Sequence, residues 1–165
     1  MRIIHTSPSE ITEIRTDGLF GDCLCFSDHE YAMGQVKAVY AMEIDENSVI
    51  RGSDLEEDGE AEAKAIAELV AITDGELSHE EAFQLLSEES NAWTLLADRM
   101  DTDAIADLSW DVQRLQGRIA AEDGFNAFAG SDEQGIVYLV SMTGKLDRLE
   151  RWNLLDRMEI VAAND

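Results

Sequence analysis

Hydrophobic periodicity changes twice along these 165 residues, and that limits the fold more than any other feature. Near the start, apolar residues come in short runs bounded by turn formers, as strands do. Arg2 to Ser7, Asp22 to Phe26 and the longer Val36 to Ile44 read as strands, with a short one at Ser48 to Gly52. Glu10 to Ile14 alternates briefly, and Asp17-Gly18 signals a turn. Ser27 is placed to cap a brief helix through Glu30, Tyr31 and Met33, stopped by Gly34. The middle then turns helical. Glu60 to Thr73 carries a stripe of Ile66, Leu69 and Val70. Ser78 and Glu81 have capping-box spacing and open a helix through Leu86, and Ser90 to Met100 follows as a third. From Asp103 to Ala121, Ile105, Leu108, Val112, Leu115 and Ile119 recur at three and four residues, and Gly124 ends that helix. Strand patterns return at Phe125 to Ala129 and Gly135 to Met142, with a turn at Thr143-Gly144-Lys145. Leu146 to Asn153 and Met158 to Ala162 read as strands or as a strand plus a short helix. The expected class is α+β: one domain over 1–165, strands from both ends sharing a core sheet, and a helical insertion at about 54–122.

Thirty-six acids against twelve bases leave a net charge of -24, while a 45% hydrophobic fraction is that of a folded chain. Such a charge repels nucleic acid and anionic membranes, so direct nucleic-acid binding is not expected. It suits a basic partner, or it imitates a polyanion; taken alone it accounts only for solubility. No apolar run approaches the ~20 residues of a membrane span, and the N-terminus lacks a signal-peptide pattern, so a cytoplasmic protein is expected. Cys23 and Cys25 are then expected reduced; one residue apart on a strand they share a face and cannot easily bridge. His29 follows them, but no other Cys/His pair completes a zinc set, and no metal is expected.

Three places can carry chemistry. His5-Thr6-Ser7 ends the first strand, before the chain's one proline. Phe26-Ser27 is followed by Tyr31, four residues on from Ser27 and on the same face of a helical turn. Ser131-Asp132-Glu133-Gln134-Gly135 stands at the lip of the very apolar GIVYLV strand. Each has a plainer explanation: a structural histidine, a core tyrosine, a hairpin turn. No Ser-His-Asp or Cys-His nucleophile set, Rossmann fingerprint, P-loop or basic patch is present.

His-Thr-Ser on the first strand, CLCFSDHEY and EQGIVYLV follow one another in this order. Together they resemble the three motifs of toxin- and poly-ADP-ribose-polymerase-like ADP-ribosyltransferases: a histidine, a tyrosine and an acid. IIHTSPSEITEI, DGLFGDCLCFSDHEYAM, LSWDVQ around Trp110 and SDEQGIVYLV are similar to the anti-CRISPR ADP-ribosyltransferases that disable type I-F surveillance complexes. The likeness implies a split ADP-ribosyltransferase-like β-sheet core, and an NAD-dependent mono-ADP-ribosyltransferase of the host bacterial cytoplasm. Its partner is then the complex's DNA-recognising subunit, and its effect loss of PAM recognition. The likeness also implies roles. His5 binds ribose hydroxyls, Thr6 and Ser7 orient the dinucleotide, Tyr31 stacks on nicotinamide, and Phe26 and Ser27 line that pocket. Asp132 is the first choice for the acid that stabilises the oxocarbenium-like transition state, with Gln134 as helper where these enzymes usually carry Glu. Strand alternation sets Glu133 on the opposite face, and a bend in the segment would put it in Asp132's place. Tyr40 is open between the second tyrosine of these enzymes and a core position. The rival reading is a non-enzymatic acidic DNA mimic that blocks the same basic surface.

Overall fold

In the computed structural model, which describes residues 1–30, 35–133 and 135–152, the strand-like ends pair with one another and the helical middle lies across one face. The strands are β1 (Arg2–Ser7), β2 (Cys23–Ser27), β3 (Ala38–Glu43), β4 (Val49–Arg51), β5 (Ala127–Asp132), β6 (Gly135–Ser141) and β7 (Glu150–Arg151). Among the described residues they form one sheet in the order β4-β5-β6-β2-β1-β3-β7. The pairings are antiparallel except β4 with β5, which is parallel. A parallel pair needs a crossover, and the helices supply it: α1 (Glu60–Ile72), α2 (His79–Leu86), α3 (Ala92–Leu96) and α4 (Thr102–Glu122).

The 3.6-residue stripe of α4 explains the larger core. Ile105, Leu108, Leu115 and Ile119 are buried with Leu69 of α1, Leu86 of α2, and Phe128 and Leu139 of the sheet. Each such side chain contributes about 1.5–3 kcal/mol. Gly117 lets α4 approach closely: a Cβ there would stand 2.7 Å from Cys23 Sγ and 3.5 Å from the Leu139 carbonyl carbon. Gln116, buried in the same stripe, donates at 3.0 Å to the Leu86 carbonyl left unpaired at the end of α2. At the other end of α2, Ser78 and Glu81 form the expected capping box. The hydrogen bond from Arg99, helped by Ser78, pulls the Glu81 carboxyl down to about 2. A smaller cluster of Ile3, Phe26, Met42, Ile44, Val140 and Met142 covers the opposite face of the sheet. No described helix is long and apolar enough to cross a membrane.

Several boundaries differ from the sequence expectation. Ser27 ends β2 rather than starting a helix, and residues 28–29 are bends; Tyr31, Met33 and Gly34 lie outside the described residues. The third helix shrinks to Ala92–Leu96. The strand expected at Phe125 to Ala129 runs instead from Ala127 to Asp132, because Gly124, at φ +83, and the Phe125 N–H to Ala120 bond still belong to the end of α4. Of the stretch Leu146 to Asn153, the described part holds a 3-10 turn and the short β7, and Asn153 lies outside the described residues. Met158 to Ala162 lies outside the described residues.

The sheet is nearly divided. β1 and β3 stay in register from Arg2–Glu43 to Ser7–Ala38, and β2 and β6 from Cys23–Ser141 to Ser27–Val137. Between β1 and β2, Ile4 opposite Ser27 is the single paired position among the described residues.

Candidate active site

A cleft of about 570 Å³ opens along that seam, a size ordinary for a small-molecule site. β1 lines it with Ile4, His5, Thr6 and Ser7, and β2 with Cys23 through Ser27. The β5–β6 hairpin adds Asp132 and Glu133, and α4 adds Trp110 and Gln113. Seven residues singled out in the sequence therefore meet around one cavity: His5, Thr6, Ser7, Phe26, Ser27, Asp132 and Glu133. Tyr31 and Gln134 lie outside the described residues.

His5 Nδ1 lies 2.7 Å from the Cys25 carbonyl, and its ring packs tilted against Phe26 with centroids 5.5 Å apart. A carbonyl only accepts, so Nδ1 carries the proton. Burial pushes the imidazole below its ordinary value, outweighing the opposite pull of that hydrogen bond. The neutral ring then leaves Nε2 as an acceptor. Ser7 and Ser27 are buried; Ser27 Oγ donates to the His29 carbonyl, and Ser7 Oγ accepts from Ser9 N at 3.4 Å. Tyr40 takes the core alternative: it is buried opposite His5 in the β1–β3 ladder, and its hydroxyl accepts the Ile11 N–H at 2.8 Å.

The carboxylates stand differently from the alternating-strand picture. Asp132 ends β5 opposite Gly135, which begins β6 at φ +122. Asp132 and Glu133 thus sit where the hairpin reverses, not along one strand, and both line the cleft. Strand alternation cannot choose between them.

The wall formed by α4 comes from LSWDVQ, a segment that carries the family resemblance but none of the site residues expected from the sequence. Trp110 and Gln113 are three apart, on one helix face, and Phe20 meets Trp110 edge-on with centroids 4.8 Å apart. Cys25 Sγ donates to Gln113 Oε1 at 3.8 Å. Burial, reinforced by the negative charge of Asp132, pushes the Cys25 thiol up to about 12, so it stays a protonated donor, not a nucleophile. The Gln113 amide is thereby turned with its NH₂ unpartnered among the described residues. The sequence signal was present: Gln113 and Trp110 lie off the Ile105–Leu108–Leu115–Ile119 stripe, yet on the helix that covers the sheet.

A family model described as "Anti-CRISPR Type I-F ADP-ribosyltransferase AcrIF11" matches residues 1–147. The chain belongs to that family. As a member of the anti-CRISPR ADP-ribosyltransferases it is an enzyme that transfers ADP-ribose, directed against CRISPR machinery. The family match spans every candidate residue from His5 to Glu133 and stops before β7. A solved structure described as "Crystal structure of an anti-CRISPR protein" is similar in fold, with a TM-score of 0.52 and 22% identity, over 85% of this chain and 88% of that one. No curated protein gives a significant match. The family's activity implies NAD as co-substrate. The cleft suits such a dinucleotide, with aromatic rings, an imidazole acceptor, hydroxyls and carboxylates on one wall or another.

Proposed function

We propose that this chain, as one transferase domain with α1–α4 inserted between β4 and β5, transfers a single ADP-ribose from NAD to the DNA-recognising subunit of a type I-F surveillance complex, so that PAM recognition fails. The observation that carries this reading is the convergence of His5, Thr6, Ser7, Phe26, Ser27, Asp132 and Glu133 on one cleft at the divided seam of the sheet. NAD supplies the reactive bond, between nicotinamide and ribose. The chain's own residues bind, orient and stabilise. His5 Nε2 accepts from a ribose hydroxyl, its ring held by the Cys25 carbonyl. Thr6 and Ser7 orient the dinucleotide; no Lys or Arg lines the cleft among the described residues, so hydroxyl and backbone donors meet its phosphates. Phe26 and Ser27 line the nicotinamide pocket, with Tyr31 and Gln134 as the remaining contacts. Asp132 lies under the positive charge that develops as the bond breaks, with Glu133 the alternative carboxylate.

An acidic enzyme is steered toward a surface that grips phosphate, and the -24 charge fits this host target. The test is the intact mass of a purified type I-F complex incubated with a trace of this protein, with and without NAD. One subunit should gain one ADP-ribose only when NAD is present. Asp132→Ala should slow that gain by roughly a hundredfold or more while the protein stays folded. Unmodified complex, bound one-to-one in competition with DNA, would replace the enzyme reading with that of an acidic DNA mimic.

A further inference from the structure

β5 outruns its neighbour. The β4–β5 ladder pairs Val49–Ala127, Ile50–Phe128 and Arg51–Ala129, and there β4 stops, because Gly52–Asp54 is a 3-10 turn. β5 continues to Asp132 with β6 as its ladder partner. Where the next rung toward β4 would lie, a side chain stands in: Glu88 Oε1 accepts the Ser131 N–H at 2.9 Å. Ser131 immediately precedes Asp132.

Three backbone features converge on this contact. Glu88 follows the last turn of α2 at φ +60, a left-handed position that usually falls to glycine. A glycine would relieve the backbone there, so what glutamate adds is its side chain. Gly130 makes room for it, since a Cβ at that position would stand 3.0 Å from Glu88 Oε1. Gly52 brings the pieces together, since a Cβ there would lie 2.1 Å from the Ser87 carbonyl oxygen. The end of α2 is thus pressed against the turn that terminates β4.

We propose that Glu88 is a positioning residue for the reaction. Its carboxylate replaces the missing rung and fixes the hairpin from which Asp132 and Glu133 reach the cleft. The assignment rests on the reading of Asp132 as the working carboxylate. Glu88 is itself exposed, so its loss acts on hairpin position more than on global stability.

The test measures kcat and KM for NAD in transfer to purified type I-F complex, beside the thermal midpoint, for Glu88→Gly, Glu88→Gln and Asp132→Ala. Glycine suits the backbone but lacks the acceptor; glutamine keeps an acceptor oxygen. Glu88→Gly should lower kcat roughly ten- to a hundredfold with KM for NAD nearly unchanged and a midpoint equal to or above that of the parent. Glu88→Gln should restore most of the rate, and amide exchange at Ser131 should be faster in the glycine variant alone. Parental kcat in Glu88→Gly beside an inactive Asp132→Ala would overturn the role of Glu88 and leave the carboxylate reading intact. Full activity in Asp132→Ala would overturn both.

Discussion

His5 shows how much one side chain's surroundings decide. Burial favours its neutral form, and the Cys25 carbonyl fixes the tautomer, so Nε2 is left as an acceptor on a ring that lines the cleft. Because the folded value lies below the ordinary 6.5, the unfolded chain takes up this proton first as pH falls. The contribution of neutral His5 to stability is therefore present above 6.5 and is lost as pH drops below it toward the folded value. A titration of the His5 ring followed by NMR should give a midpoint below 6.5, and kcat/KM for NAD should fall on its acid side. A midpoint at or above 6.5 would remove the acceptor role. His5 was legible in the sequence as a polar residue ending an apolar strand; its tautomer was not, because Cys25 is twenty residues away.

At the scale of elements, the packing of α4 on β2 and β6 sets the back wall of the cleft. Gly117 permits the close approach, and Gln113 and Trp110 then face the seam from the preceding turns. In an isolated helix, alanine is better than glycine by about 0.8–1.0 kcal/mol. Overpacking of a tight core costs about 1–3 kcal/mol, and the 2.7 Å approach to Cys23 Sγ puts this site at the costly end. Gly117→Ala should therefore lower the urea midpoint with an unchanged m-value and weaken NAD binding as the wall shifts. A variant as stable as the parent or more so would show that helix propensity outweighs the contact. The periodicity of Ile105, Leu108, Leu115 and Ile119 announced this helix from sequence alone. The crossing partner of Gly117 could not be read, since a glycine in a helix carries no pattern of its own.

On the scale of the whole molecule, charge becomes a rate. An excess of twenty-four negative charges gives long-range attraction to a basic surface that salt screens over about 10 Å at 0.1 M. Association of this protein with the purified complex should slow several-fold between about 0.05 M and about 0.3 M salt, while kcat at saturation changes little. An association rate indifferent to salt would leave the acidity as a matter of solubility. The same reasoning separates catalysis from mimicry, because a transferase turns over at trace amounts and a mimic is consumed one-to-one.

What the sequence determined by itself was local: strand periods at the two ends, a helical period between, the Ser78–Glu81 capping box, and the order of His5, Phe26-Ser27 and Asp132-Glu133. These follow from side-chain spacing and backbone preference, which neighbouring residues impose. Only the tertiary structure decided that β1 and β2 meet at Ile4–Ser27 alone among the described residues, and so leave a cleft between them. The same holds for the place of Asp132 at the end of β5, for the wall that Trp110 and Gln113 of α4 add to the cleft, and for the contact of Glu88 with the Ser131 N–H beside the hairpin. Those relations join residues tens of positions apart, and they arise where strands run out of partners and helices pack across them.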